Sequence, residues 1–89
     1  MRTVEIYTKP HCIPCKVTKR ELDKAGVPYT EKSAVDYVDF LKRLGAYAAP
    51  VVIIYRDGQA IDWWCTYRRD RIDALTRTWW ETSGGGGAA

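Results

Sequence analysis

Cysteine is scarce in this chain, with three residues among 89. An odd count without spaced pairs excludes the disulfide framework of a small secreted domain. It fits a reducing compartment, and so the cytoplasm. Histidine is scarcer still, with His11 alone. A closed zinc site needs four ligands, and besides Cys12 and Cys15 only Cys65 and His11 are offered, His11 at an awkward chelate spacing beside Cys12; no metal is expected. There is no apolar run long enough to span a membrane, and strand-like sequence from Thr3 argues against a signal peptide. Neither charge sign dominates: the net charge is +3, with both signs mixed along the chain. Nucleic-acid binding is therefore not expected. Arg68, Arg69 and Arg71 form the only local basic cluster, which reads as solvated surface or as a contact for an acidic protein partner. What remains is 46% hydrophobic and 28% charged, the balance of a soluble globular domain that folds without staples. One domain is expected over 1–81, with a Gly-rich flexible tail over 82–89.

The informative stretch is Lys9-Pro10-His11-Cys12-Ile13-Pro14-Cys15. A CxxC pair serves either redox exchange or half of a metal site. The flanks favour exchange. Thr3 to Tyr7 is rich in β-branched and aromatic residues and reads as a strand, whereas Ile13 to Ala25 reads as a helix stopped by Gly26. Cys12 then falls near the helix N-cap and Cys15 in its first turn. Free amides and the helix dipole favour a thiolate at Cys12, and Pro14 is tolerated because first-turn amides lack intrahelical partners. A structural disulfide is disfavoured, since so short a loop removes little unfolded-chain entropy.

Further along, Val27 to Lys32 reads as a short strand, placed at a sheet edge by Pro28. Ser33 with Asp36 suggests an approximate capping box for a second helix, whose stripe is Tyr37, Phe40, Leu41 and Leu44. Gly45 ends it. The run Val51 to Tyr55 predicts a strand buried on both faces, and Asp57-Gly58 a tight hairpin to a return strand over Ala60 to Trp64. A third helix is expected from Arg69 to Glu81, with Ile72, Leu75, Thr76 and Trp79 inward and Trp80 half-buried beside them. Glu5 is out of place in a central strand, which suggests a sheet margin or a long side chain above it. The order β-α-β-α-β-β-α predicts an α/β fold: a mixed four-stranded sheet with helices on both faces.

In this order the chain resembles the thioredoxin fold and, more narrowly, the NrdH-redoxins. Three stretches carry the resemblance. Tyr7-Thr8-Lys9-Pro10-His11-Cys12-Ile13-Pro14-Cys15 is similar to that family's Tyr-Thr-Lys-Pro-x-Cys-x-x-Cys site. Ala49-Pro50-Val51-Val52 is similar to its cis-proline segment. Trp64-Cys65-Thr66-Tyr67-Arg68-Arg69-Asp70-Arg71-Ile72 is similar to its Trp-Ser-Gly-Phe-Arg-Pro-Asp-Arg-Ile loop. The departures are Ile13-Pro14 between the cysteines, Cys65-Thr66 for Ser-Gly, Tyr67 for Phe and Arg69 for Pro.

The resemblance implies a dithiol-disulfide oxidoreductase that carries electrons, as a cytoplasmic monomer, to the large subunit of class Ib ribonucleotide reductase. Thioredoxin reductase with NADPH would re-reduce it. No cofactor is implied beyond the Cys12–Cys15 couple. Cys12 is the attacking thiol and Cys15 the resolving one. Lys9 and His11 are placed to favour the thiolate, a cis Pro50 to present the Ala49 backbone to substrate, and Trp64, Tyr67 and Arg68 to support the loop. A glutathione-dependent glutaredoxin and a metal or iron–sulfur module are the alternatives. The glutathione loop typically has a Gly-Gly pair where Cys65-Thr66 stands. Cys65 itself reads either as an inert filler between Trp64 and the last helix or as a regulatory thiol near Arg68 and Lys9.

Overall fold

The computed structural model describes residues 1–82, so the expected tail lies, from Ser83 on, outside the described residues. Strand β1 (Arg2–Thr8) leads into helix α1 (Ile13–Ala25), followed by β2 (Thr30–Ser33) and a single 3₁₀ turn (Val35–Tyr37). Helix α2 (Val38–Leu44), strands β3 (Val51–Arg56) and β4 (Gln59–Cys65), and helix α3 (Arg69–Thr82) complete the order. The four strands lie in the order β2-β1-β3-β4, with β1 parallel to β2 and antiparallel to β3.

The alternation of side chains along β1 and β3 divides the core into two layers. Val4, Ile6, Val52 and Ile54 face α1 and α3, where Leu22, Ile72, Leu75 and Trp79 cover them. Tyr7, Val51 and Ile53 face the other way, against Leu41 of α2. The unbroken run Val51 to Ile54 is buried because β3 is interior and both its faces are covered. The hairpin after it turns on Asp57 and Gly58, at φ 52° and 86°, the pair of positive angles that makes Asp-Gly favourable there.

Several expectations are corrected. There is no capping box at Ser33, whose backbone is still in the β1–β2 ladder opposite Thr8. The Ala34 N–H donates to the Thr8 carbonyl at 2.8 Å, and the residue at the cap of α2 is Tyr37, which makes no side-chain capping bond. Strand β2 begins at Thr30 rather than Val27, because the Val27 N–H is used to close α1, donating to the Leu22 carbonyl at 3.0 Å. Glu5 is not at a margin, since β1 is an interior strand. Its carboxylate accepts the Tyr7 hydroxyl at 2.8 Å and meets Lys32 Nζ at 3.0 Å. Burial pushes the Glu5 carboxyl up, but the Tyr7 and Lys32 hydrogen bonds outweigh it and hold the group below its usual range. Trp80, by contrast, is half-buried as expected, its indole N–H donating to the Ala25 carbonyl at 3.2 Å.

Candidate active site

The dithiol sits where β1 ends and α1 begins. Between them His11 has φ 58°, a left-handed conformation that histidine tolerates better than most residues. That turn aims the chain into the helix with Cys12 at the N-cap. The Cys12 Sγ accepts the Cys15 N–H at 3.2 Å, and its carbonyl accepts the Lys16 N–H at 3.2 Å. A sulfur in this position replaces the missing intrahelical acceptor of a first-turn amide and lies at the positive end of the helix dipole, which favours its thiolate. Cys12 and Cys15 are joined as a disulfide, with Cα atoms 5.2 Å apart. Both sulfur residues are nearly enclosed, whereas Ile13 is 66% exposed on the outside of the turn.

Neighbouring segments converge on this end of the sheet. Tyr7 of β1 is opposite Val51 of β3, and Val51 is opposite Cys65 of β4. The peptide bond between Ala49 and Pro50 is cis. The Pro50 carbonyl accepts the Thr66 N–H at 2.8 Å, which ties the segment before β3 to the loop after β4. Thr66 makes that bond at φ 67°. Lys9 and Ala49 line one groove of about 300 Å³ beside the dithiol turn, together with Tyr47 and the exposed Val35 and Val38.

The remaining sequence candidates are dispersed. Trp64 is a core residue, 4% exposed, under the Arg71 guanidinium. Tyr67 packs against the same core layer from its margin. Arg68 is exposed and held by Asp70 through two contacts of 3.1 and 2.9 Å. Cys65 is a free, buried thiol, and it lies with Tyr7, Val51 and Leu41 on the α2 side rather than between Trp64 and α3. Among the described residues no group of three or more His, Cys, Asp or Glu converges as metal ligands would, and no helix is long and apolar enough to cross a membrane.

Sequence reasoning missed the other side of the dithiol. A cleft of about 570 Å³ runs there between α1 and β2, reached by Cys12 and Cys15 and lined also by Thr8, Lys16, Lys19 and Glu31. Glu31 accepts the Thr8 hydroxyl at 2.7 Å and Lys19 Nζ at 3.0 Å. These bonds, Thr8 first and Lys19 second, hold its carboxyl below the usual range. The spacing of Cys15 and Lys19 was a usable signal, because residues four apart share a helix face.

Residues 4–61 match the glutaredoxin family model. No curated protein matches the sequence. Among solved structures, the chain is similar to the glutaredoxin-like protein NrdH-redoxin from Escherichia coli, described there as having a thioredoxin-like activity profile. The TM-score is 0.71 at 28% identity, over 82% of this chain and 93% of that one. Desulfothioredoxin from Desulfovibrio vulgaris Hildenborough gives 0.70 at 23%, over 86% and 80%. Thioredoxin from Fasciola hepatica gives 0.69 at 12%, over 86% and 79%. The last two show the fold, and the thioredoxin architecture expected from the sequence is the one observed. With a bonded CxxC pair at a helix N-terminus, the chain belongs to the glutaredoxin family and is a thiol-disulfide oxidoreductase of NrdH-redoxin-like form.

Proposed function

We propose that the chain is an electron donor to class Ib ribonucleotide reductase, re-reduced by thioredoxin reductase at the expense of NADPH. The observation that carries the exchange chemistry is the Cys12 sulfur at the α1 N-cap, in contact with the Cys15 amide. In the reduced protein the Cys12 thiolate attacks one sulfur of the partner disulfide, forming a mixed disulfide and releasing the other partner sulfur as a thiolate. The Cys15 thiolate then attacks Cys12 Sγ, and the second partner thiolate leaves. Two electrons pass to the partner, and the chain ends in the bonded state. The reductase returns two electrons from NADPH to reopen it.

We assign the supporting roles by position. Lys9 and His11 both precede the attacking sulfur closely in sequence. Ala49 and Pro50 offer backbone to an extended substrate segment on the side of the 300 Å³ groove. Tyr67 and Arg68 shape the loop above, and Trp64 acts through packing beneath it. The protein works as a monomer in the cytoplasm and needs no cofactor beyond its own dithiol.

The choice of reductant rests on residues 64–72, from the end of β4 through the loop into α3, which lie beyond the residues that match the glutaredoxin model. Glutathione recognition uses backbone donors of a glycine pair, and here Thr66 puts a β-branched side chain at a left-handed position. The test compares two donor systems at equal protein concentration. Disulfide reduction is expected with NADPH and thioredoxin reductase, and little with glutathione and glutathione reductase. Equal or faster turnover with glutathione would make the chain a glutathione-dependent glutaredoxin instead.

A further inference from the structure

We infer that the cleft between α1 and β2 docks an acidic polypeptide segment flanking the partner's disulfide. This rests on the exchange reading above and adds a class of substrate to it. The cleft reaches both redox cysteines and carries Lys9, Lys16, Lys19 and Lys32 against a single carboxylate, Glu31. Glu31 is taken up by Lys19 at 3.0 Å, and Lys32 is taken up by Glu5 at 3.0 Å. Lys9 and Lys16 have no carboxylate partner among the described residues, and both are exposed.

Arg68, Arg69 and Arg71 each face an aspartate, Asp70, Asp73 and Asp62 respectively. Of these two basic clusters, the one beside the dithiol keeps cations without a carboxylate partner, and the arginine cluster does not. A concave wall of low dielectric focuses such a field and speeds the arrival of an oppositely charged partner. Lys9 precedes the CxxC motif and Lys16 follows it directly. A chain with carboxylates on both sides of its disulfide matches that placement, because each flank meets one unpaired ammonium group.

The experiment uses pre-reduced full-length protein in single-turnover reactions. The substrates are disulfide-containing peptides identical except for Glu, Gln or Lys at the flanking positions. Bis(2-hydroxyethyl) disulfide serves as a neutral reference and oxidised glutathione as a small anion. At low ionic strength the Glu peptide is expected to react about tenfold faster than the Lys peptide, and added salt to erase most of the difference. In Lys16→Glu the ratio of the Glu-peptide rate to the neutral-disulfide rate should fall severalfold, and in Lys16→Gln by less. A ratio cancels any change in the intrinsic reactivity of Cys12, and circular dichroism checks that the variants fold. Equal rates for the three peptides, or a preference indifferent to salt or to Lys16, would overturn the proposal. Oxidised glutathione as fast as the Glu peptide would overturn its polypeptide assignment. No reaction of wild-type protein even with the neutral disulfide would instead defeat the exchange reading itself.

Discussion

Replacing Thr66 by glycine should make the protein more stable. Thr66 sits at φ 67°, where an L residue is crowded by about 1–2 kcal/mol and a β-branched one is at the unfavourable end. The angle is held by the bond from its N–H to the Pro50 carbonyl at 2.8 Å, which glycine would keep. Thr66 is only partly buried, so little packing is lost with its methyl group. Against the relief stands the extra freedom of glycine in the unfolded chain, about 0.5–1 kcal/mol. The net gain is about 0.5–1 kcal/mol, or about 2–8 °C in Tm for a domain of this size. Urea titration of the oxidised protein, with an unchanged slope, measures it. Thr66→Ala is the control, because it removes the branch and keeps Cβ; it should stay within about 0.5 kcal/mol of wild type. A glycine variant no more stable than wild type, or an alanine variant that gains as much, would refute the backbone argument.

Cys12→Ser should abolish exchange in any donor system, and Cys15→Ser should accumulate the mixed disulfide, visible on a non-reducing gel as a reductant-sensitive adduct. Cys65 is 7% exposed, so with Cys12–Cys15 oxidised, mild alkylation followed by mass spectrometry should leave it largely unmodified. Rapid stoichiometric labelling, or a dimer lost in Cys65→Ser, would mark it as a reactive thiol. The Glu5 carboxyl is held below its usual range in the fold, so its contribution is present above that range and is lost as pH falls through it. Stability should therefore drop below about pH 5, and Glu5→Gln should flatten that part of the curve measured by thermal melts.

Much of the fold was legible because local signals agreed with one another. The bounds Ile13–Ala25 of α1 are those expected, since Gly26 at φ 73° supplies the left-handed stop that the sequence suggests. The errors share a cause: they concern residues whose polar groups are already claimed by another partner. Ser33 and Asp36 spell a capping box, but Thr8 holds Ser33 and Ala34 in the ladder. Val27 looks like strand, but α1 uses its N–H. Glu5 looks marginal, yet two strands flank β1; Tyr7, two residues along the same strand, and Lys32 of β2 satisfy its carboxylate.

The site divides along the same line. Cys12 and Cys15 could be read directly, because helix position and sulfur chemistry are both local. So could one of the arginine pairs, Arg69 with Asp73, which are four apart on α3. The partner of Arg71 is Asp62 on β4, and no local pattern announces it. A count of basic residues therefore pointed to the loop after β4, where the charges are in fact compensated. The four lysines of the cleft come from the dithiol loop, α1 and β2, and no window of sequence contains them all. Only the parallel pairing of β2 with β1 brings Lys32 and Glu31 alongside Thr8 and the turn into α1. Net charge constrains the kind of partner a protein can attract, but pairing decides where the attraction is felt. Here pairing removes it from the loop after β4 and spares Lys9 and Lys16, one on each side of the two cysteines.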